Sequence, residues 1–442
     1  MDLFVVRGGR PLSGRVTVGG SKNATLPIMA ASLMIDGPVT LSCVPDLADV
    51  TTLSHVLQSL GVSVSRTACD ALAAAGLTLE VRDESNCVAD YDLVRRMRAS
   101  VCVLGPLLAK RGRAVVSLPG GCNIGIRPID VHLRGLAALG ADIRVERGYV
   151  MATAKRLKGA EIDLSGPRGA TVTGTANVLT AAVLTAGRSV LRNVAREPEI
   201  ADLARFLHAA GAQIDGVGTD VLEVEGVESL TPVKHRVIPD RIEAATLMMA
   251  AAITGGQVTL DRVPFKHLTR VLERFGDAGV CVETEESSSH GIGSAHVFTA
   301  WPPVPTDVVA QPFPGFPTDL QAQWSALMTR ADGVSRIRDD VFPDRFLHVP
   351  ELARLGAAIS RTESGVTIQG GRPLRGANVM ASDLRASAAL VLAALAAEGE
   401  TVIRRIYHLD RGYERLDAKL ASLGADVIRR VDDAAIAVPP PL

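Results

Sequence analysis

A cysteine, an arginine, an aspartate and a histidine stand within the fifteen positions from Leu118 to His132, set among glycines at 120, 121 and 125. Glycines on both sides of Cys122 free the backbone and leave its thiol little side-chain cover. A structural cysteine usually sits in an apolar run, and this one does not. Arg127 follows five residues later. A cation within reach favours a thiolate, and a guanidinium fork also suits a carboxylate or a phosphate. Pro128 then fixes the backbone. This is the composition of a lid that carries a proton-active thiol and an anion clamp into a site. A glycine-rich surface turn with an incidental cysteine has the same composition, and the loop alone leaves both readings open.

Other stretches carry compatible chemistry. Ser21-Lys22-Asn23 follows Gly19-Gly20. Lys22 offers a point charge to phosphate, and Asn23 offers a donor and an acceptor. Ser21 can equally cap a helix, whose N-terminus is itself an anion site. Asp319 stands at a helix start behind Pro312, Pro314 and Pro317, a stiff approach that suits an aimed carboxylate, although most such residues are only caps. Asp/Arg pairs recur at Asp344-Arg345, at Asp383 and Arg385, and at Asp410-Arg411. If they stand at equivalent places in repeated units, they converge on one cleft. An apolar helix is expected from Tyr91 to about Leu108. Arginines in its first turns run against the macrodipole and hint at an anionic ligand. Arg98, the deepest, is the candidate; Arg95 reads as solvated. Cysteine-protease chemistry lacks an orienting partner for His132. Strand–GxGxxG and P-loop patterns are absent.

These residues need elements to position them, and the chain supplies a repeat. A phrase of small residue or Leu, Gly, small residue, any residue, β-branched residue has its glycine at 61, 140, 211, 279, 356 and 424. A second phrase, Gly and then a short β-branched run, precedes each one. The segments between read as an Ala-rich helix, a strand, an amphipathic helix of the Thr52–Leu60 type, and further strands. Units of roughly 70 residues are too large for a thin solenoid. Two groups of three, each around its own core, fit 442 residues. The strand at Gly14–Val18 stands before the first full unit and could complete the last one. This predicts one domain from 22 to 235, carrying the Cys122 loop, and a second from 1–21 plus 236–442, with a ligand cleft between.

Bulk composition narrows the classes further. A net charge of −1 gives no field that argues for nucleic acid or membrane. Six cysteines without C-x-x-C spacing fit free thiols in a reducing compartment and no zinc site. The N-terminal residues lack the apolar core of a signal peptide, and the run Ala386–Ala397 is too short to span a bilayer. A cytoplasmic protein is expected.

Taken together the motifs resemble the enolpyruvyl transferase family, and within it the UDP-N-acetylglucosamine 1-carboxyvinyltransferases of peptidoglycan precursor synthesis. The resemblance runs from near residue 7 to about 428. Residues 20–23, 97–100, 119–125, 196–200, 239–243, 316–323, 345–352, 383–387 and 410–415 carry it. It implies an α/β fold: a two-domain inside-out α/β barrel, each domain three repeats of a βαβαββ-like unit. The implied reaction moves the carboxyvinyl group of phosphoenolpyruvate to the 3′-hydroxyl of UDP-N-acetylglucosamine, without metal or organic cofactor. By resemblance, Cys122 is the proton donor and Asp319 withdraws the hydroxyl proton. Lys22, Arg127, Arg385 and Arg411 hold phosphoenolpyruvate, with Arg345 nearby. Asn23, Arg98, Arg127, Pro128, Ile129, Asp130, Val131 and Val341 fall on nucleotide-sugar positions. The family's uridine-diphosphate contact near Ser165–Gly169 often begins with lysine; here Arg168 stands in that segment. Transfer to another acceptor, or nucleotide-sugar binding without turnover, are the alternative readings. Residues 284–310 match poorly and read as a variable loop.

Overall fold

Helices without a wide polar face are stable only where nearly every side is covered. The chain solves this by putting such helices in the middle. Lys22–Ala31, Leu104–Arg111 and Val172–Val183 gather in one half, and Arg241–Thr254, Gln321–Met328 and Leu384–Ala396 in the other. In Leu384–Ala396 every residue from Arg385 to Leu395 is buried. The structure, a computed structural model, describes residues 2–67, 76–120, 128–287 and 291–431. Cys122 and Arg127 lie outside the described residues.

Sheets form the outer walls. Among the described residues there are six four-stranded sheets and one two-stranded ribbon. The second sheet shows the common pattern. Val88–Ala89 runs parallel to Arg113–Ser117, which pairs antiparallel with Tyr149–Thr153, itself antiparallel to Asp142–Glu146. Inward residues alternate with outward ones, as in Val334–Asp339, where Ser335, Ile337 and Asp339 are buried. Amphipathic helices such as Ala48–Ser59 and Pro198–Ala209 cover the rest. This is the inside-out α/β architecture. The buried apolar side chains form two separate clusters, one from Ala24 to Val237 and one joining Phe4–Val18 to Ile242–Leu423.

Three expectations need correction. The strand that completes the last sheet is Asp2–Arg7, between Glu400–Arg404 and Asp426–Val431. Ser13–Thr17 instead runs parallel to Gln257–Pro264 and opens the fourth sheet. The helix expected over Tyr91–Leu108 is broken: Tyr91–Val94 is one turn, Met97 is extended, and Arg98–Val103 is a 3₁₀ turn before Leu104–Arg111. Pro106 explains the fresh start at Leu104. In one long helix it would remove an interior hydrogen bond, whereas a fresh start at Leu104 puts it in the tolerant first turn. Residues 284–310 are not all loop, since Val280–Glu286 pairs with Ile292–Thr299.

The chain crosses between halves twice, side by side. Ser21 N–H donates to the Ile238 carbonyl at 2.7 Å and Asp240 N–H to Gly19 at 2.9 Å. Gly20 is obligatory there, because a Cβ would lie 1.7 Å from the Cys43 carbonyl oxygen.

Candidate active site

The starts of four inner helices, and the 3₁₀ turns that lead into the other two, Arg98–Val103 and Thr318–Leu320, face one cleft of about 560 Å³ between the halves. Side-chain caps hold several of them. Ser21 accepts from Ala24 N–H and Thr171 from Gly174 N–H. Asp240 accepts from Ile242 and Glu243, and Asp383 from Arg385 and Ala386. Their aligned peptide dipoles add positive potential to the cleft.

Two clamped carboxylates dominate its floor. Asp319 sits in the 3₁₀ turn Thr318–Leu320, beyond the cap position, and its oxygens meet Arg345 Nη1 and Arg385 Nη2 at 2.8 Å each. Asn23 Nδ2 donates to it from the other half at 3.3 Å. Burial acts to raise the Asp319 pKa, but the two guanidiniums outweigh it and hold the carboxyl well below the usual range. The second carboxylate is Asp49, in the first turn of Ala48–Ser59. Lys22 Nζ lies 2.6 Å from it, and Arg411 Nε reaches it from the opposite half at 2.9 Å. Burial pulls the Lys22 pKa down, Asp49 partly restores it, and Arg411 and Arg385 lower it further. For Asp49 burial acts upward, and Lys22 and Arg411 bring it below its ordinary value.

Of the sequence candidates, Lys22, Asn23, Arg98, Pro128, Asp130, Val131, Asp319, Val341, Arg345, Arg385 and Arg411 line this cleft. Ile129 is not among the lining residues; its side chain is buried in the first apolar cluster. The Ser165–Gly169 segment forms a two-stranded ribbon, Ser165–Gly166 with Gly169–Ala170, and Arg168 reaches the cleft. Asp49, Glu197, Glu199 and Arg241 were not singled out as site residues. Arg241 binds Glu199 through two hydrogen bonds of 3.0 and 3.3 Å across the halves. Asp49 could be foreseen only as an ordinary acid in a helix's first turn. Glu197, Glu199 and Arg241 lie inside the quoted family motifs, which is the signal that could have raised them.

Seven cations and six carboxylates line the cleft among the described residues. The near balance means that an incoming dianion competes with internal carboxylates for the same cations. The Nε atoms of Arg345 and Arg385 are buried with no partner among the described residues, so donors remain for a ligand. Cys102 also lines the cleft, but burial pushes its thiol up to about 12 and leaves it unreactive. No group of three or more His, Cys, Asp or Glu among the described residues could hold a metal ion. None of the described helices is long and apolar enough to cross a membrane.

A two-half α/β body that turns inner helix starts and paired cations toward one cleft is the architecture of the carboxyvinyl transferases. The enolpyruvyl transferase NikO from Streptomyces tendae superposes with a TM-score of 0.86 at 26% identity, over 97% of this chain and 98% of that one. EPSP synthase from Acinetobacter baumannii shares the fold, with a TM-score of 0.75 at 19% identity over 98% and 100% of the two chains. The model of the EPSP synthase (3-phosphoshikimate 1-carboxyvinyltransferase) family matches residues 6–420, and the chain belongs to this family. It is 50% identical over 430 residues to the UDP-N-acetylglucosamine 1-carboxyvinyltransferase of Trichlorobacter lovleyi, covering 97% of this chain and 99% of the relative. The proteins of that name from Sorangium cellulosum and Myxococcus xanthus are 50% and 49% identical, again over 97% of this chain and 99% of the relative.

Proposed function

We propose that the protein transfers the carboxyvinyl group of phosphoenolpyruvate to the 3′-hydroxyl of UDP-N-acetylglucosamine, releasing phosphate, as the committed step of peptidoglycan precursor synthesis in the cytoplasm. The observation that carries this is half-identity over nearly the whole chain to relatives of that name, together with a cleft built for a compact polyanion. The domains are residues 22–235 and 1–21 plus 236–442, and both contribute to the site.

In this reading the 3′-oxygen bonds to C2 of phosphoenolpyruvate as Asp319 accepts the hydroxyl proton and Cys122 gives a proton to C3. The product of this addition is a tetrahedral ketal bearing phosphate and carboxylate. Loss of a proton from the new methyl group and departure of phosphate restore the double bond. Lys22, Arg127, Arg385 and Arg411 hold the phosphate and carboxylate, with Arg345 beside them. Fixed cations in a buried cleft stabilise the charge that develops there. Asn23, Arg98, Pro128–Val131 and Val341 hold the nucleotide-sugar.

The test is phosphate release by the purified full chain. It should require both substrates, fall to background with acceptors other than UDP-N-acetylglucosamine, and be abolished or severely reduced in Cys122→Ala. Turnover with one substrate, or with shikimate 3-phosphate as acceptor, would overturn the assignment. Undiminished turnover in Cys122→Ala would remove the proton donor alone.

A further inference from the structure

His132 lies in the first turn of the helix Asp130–Ala138, buried and unused by the chemistry above. Both ring nitrogens are engaged. Nδ1 is 2.8 Å from Asn177 Nδ2, and Nε2 is 3.2 Å from the Thr173 hydroxyl. The sense of this chain can be read outward from the backbone. Asn177 Oδ1 accepts the Gly105 N–H at 2.8 Å, and its Nδ2 donates to the Val101 carbonyl at 2.9 Å. These two bonds fix which end of the amide is nitrogen. An amide nitrogen only donates, so the Nδ1 facing it accepts. The neutral ring then carries its proton on Nε2 and donates to Thr173 Oγ1. The Thr173 hydroxyl still has its own proton, and no described residue accepts it. Thr173 stands on the cleft wall, on the side lined by Arg98, Val131 and Arg168.

We propose that Thr173 is a substrate-contacting donor, its hydroxyl proton aimed by His132 and Asn177 at an acceptor oxygen of the nucleotide-sugar. His132 and Asn177 are positioning residues: they fill one of the hydroxyl's two lone pairs internally and so turn its proton toward the ligand. A threonine free to rotate would offer either sense and would lose rotational freedom on binding. The fixed hydroxyl favours oxygens that accept, such as those of phosphate and uracil. The inference rests on the function proposed above.

Calorimetric titration of the full chain with UDP-N-acetylglucosamine tests it. Thr173→Val keeps the shape and should weaken binding about tenfold or more, whereas Thr173→Ser should stay within about threefold of the unaltered protein. His132→Leu should weaken binding by a similar factor, although His132 is not among the residues that line the cleft. Combined with Thr173→Val it should add nothing, the mark of one residue acting through another. His132→Gln, which returns an amide donor, should recover part of the loss, and KM for phosphoenolpyruvate should not move in any variant. Thermal melts identify any variant that fails to fold, and the Thr173 pair decides in that event. Unchanged binding by Thr173→Val, or losses at 132 and 173 that add independently, would overturn the proposal. Unaltered protein that binds no UDP-N-acetylglucosamine would overturn the functional reading and this inference together; binding with an unaffected Thr173→Val would overturn this inference alone.

Discussion

In the proposed reaction Asp319 takes a proton from a hydroxyl, yet Arg345 and Arg385 hold it in the state of a very weak base. The conflict resolves if phosphoenolpyruvate draws those guanidiniums to its own phosphate and carboxylate. Burial then acts on Asp319 with less opposition and raises its basicity. The base would be armed by the second substrate. In Asp319→Asn, kcat should fall about 10²- to 10⁴-fold. Inorganic phosphate should also raise the melting temperature more than in the unaltered protein, because the arginines have lost their internal counter-ion. An equal or smaller rise would count against competition between Asp319 and the ligand. His348 gives a second test. It is buried, and burial lowers its pKa from 6.5 to about 4. The folded protein therefore binds fewer protons than the unfolded chain between those values. Stability is fully present above about pH 6.5 and is lost as pH falls toward 4, by about 3 kcal/mol from this ring alone. Melting temperatures between pH 7 and 4.5 should decline, and His348→Asn should flatten the decline. An unchanged slope would remove His348 as its source. Lys22, Asp319, Arg345, Arg385 and Arg411 were raised as candidates in sequence because of their types and neighbours, and all five line the cleft. Asp49 was not raised. It becomes a site residue only when Arg411, 362 positions away, folds against it.

At the scale of elements, the capped helix starts do two tasks. Asp240 shows both. Its Oδ1 takes the Ile242 and Glu243 N–H groups at 2.8 and 3.0 Å, and its Oδ2 takes the Lys22 N–H of the other half at 3.1 Å. It thus caps Arg241–Thr254 and fixes the start of the helix that presents Lys22. Asp240→Ala should destabilise by about 2 kcal/mol or more, since three buried N–H groups lose their acceptor. It should also raise KM for phosphoenolpyruvate, because Lys22 loses its fixed base. Denaturant melts and steady-state kinetics check the two effects, and a stability loss with unmoved KM would confine Asp240 to capping. The repeating unit was readable because glycine stops and β-branched runs are local signals. Which strand closes the last sheet was not local. Asp2–Arg7 and Ser13–Thr17 both read as strands, and only the pairing of distant segments separates their places. The fresh start at Leu104 was readable in principle from Pro106, but the apolar run masked it.

Across the whole molecule, the cleft is held by bonds that span it. Asn23 meets Asp319, Arg411 meets Asp49, Phe313 N–H donates to Glu197 at 3.4 Å, and Asp46 N–H donates to Glu414 at 3.0 Å. The most buried of these ties is Arg241 with Glu199, whose exposures are 7% and 2%. A pair so placed adds little net stability, because removing both charges from water consumes most of their attraction. Removing Glu199 is different, since Arg241 is left buried with only the weaker pull of Glu197 and Asp319, at a cost of up to about 3–5 kcal/mol. Separation of the halves relieves that cost by returning Arg241 to water. Glu199→Gln should therefore shift the population toward open forms and leave each half folded. Small-angle scattering should show a larger radius of gyration than the roughly 22 Å expected for a compact chain of 442 residues. UDP-N-acetylglucosamine and phosphoenolpyruvate together should bring the radius back, because their charges bridge the same gap, and both KM values should rise. An unchanged radius with normal KM values would mean that the other spanning bonds suffice, and that the Arg241–Glu199 pair does not set how the two halves meet.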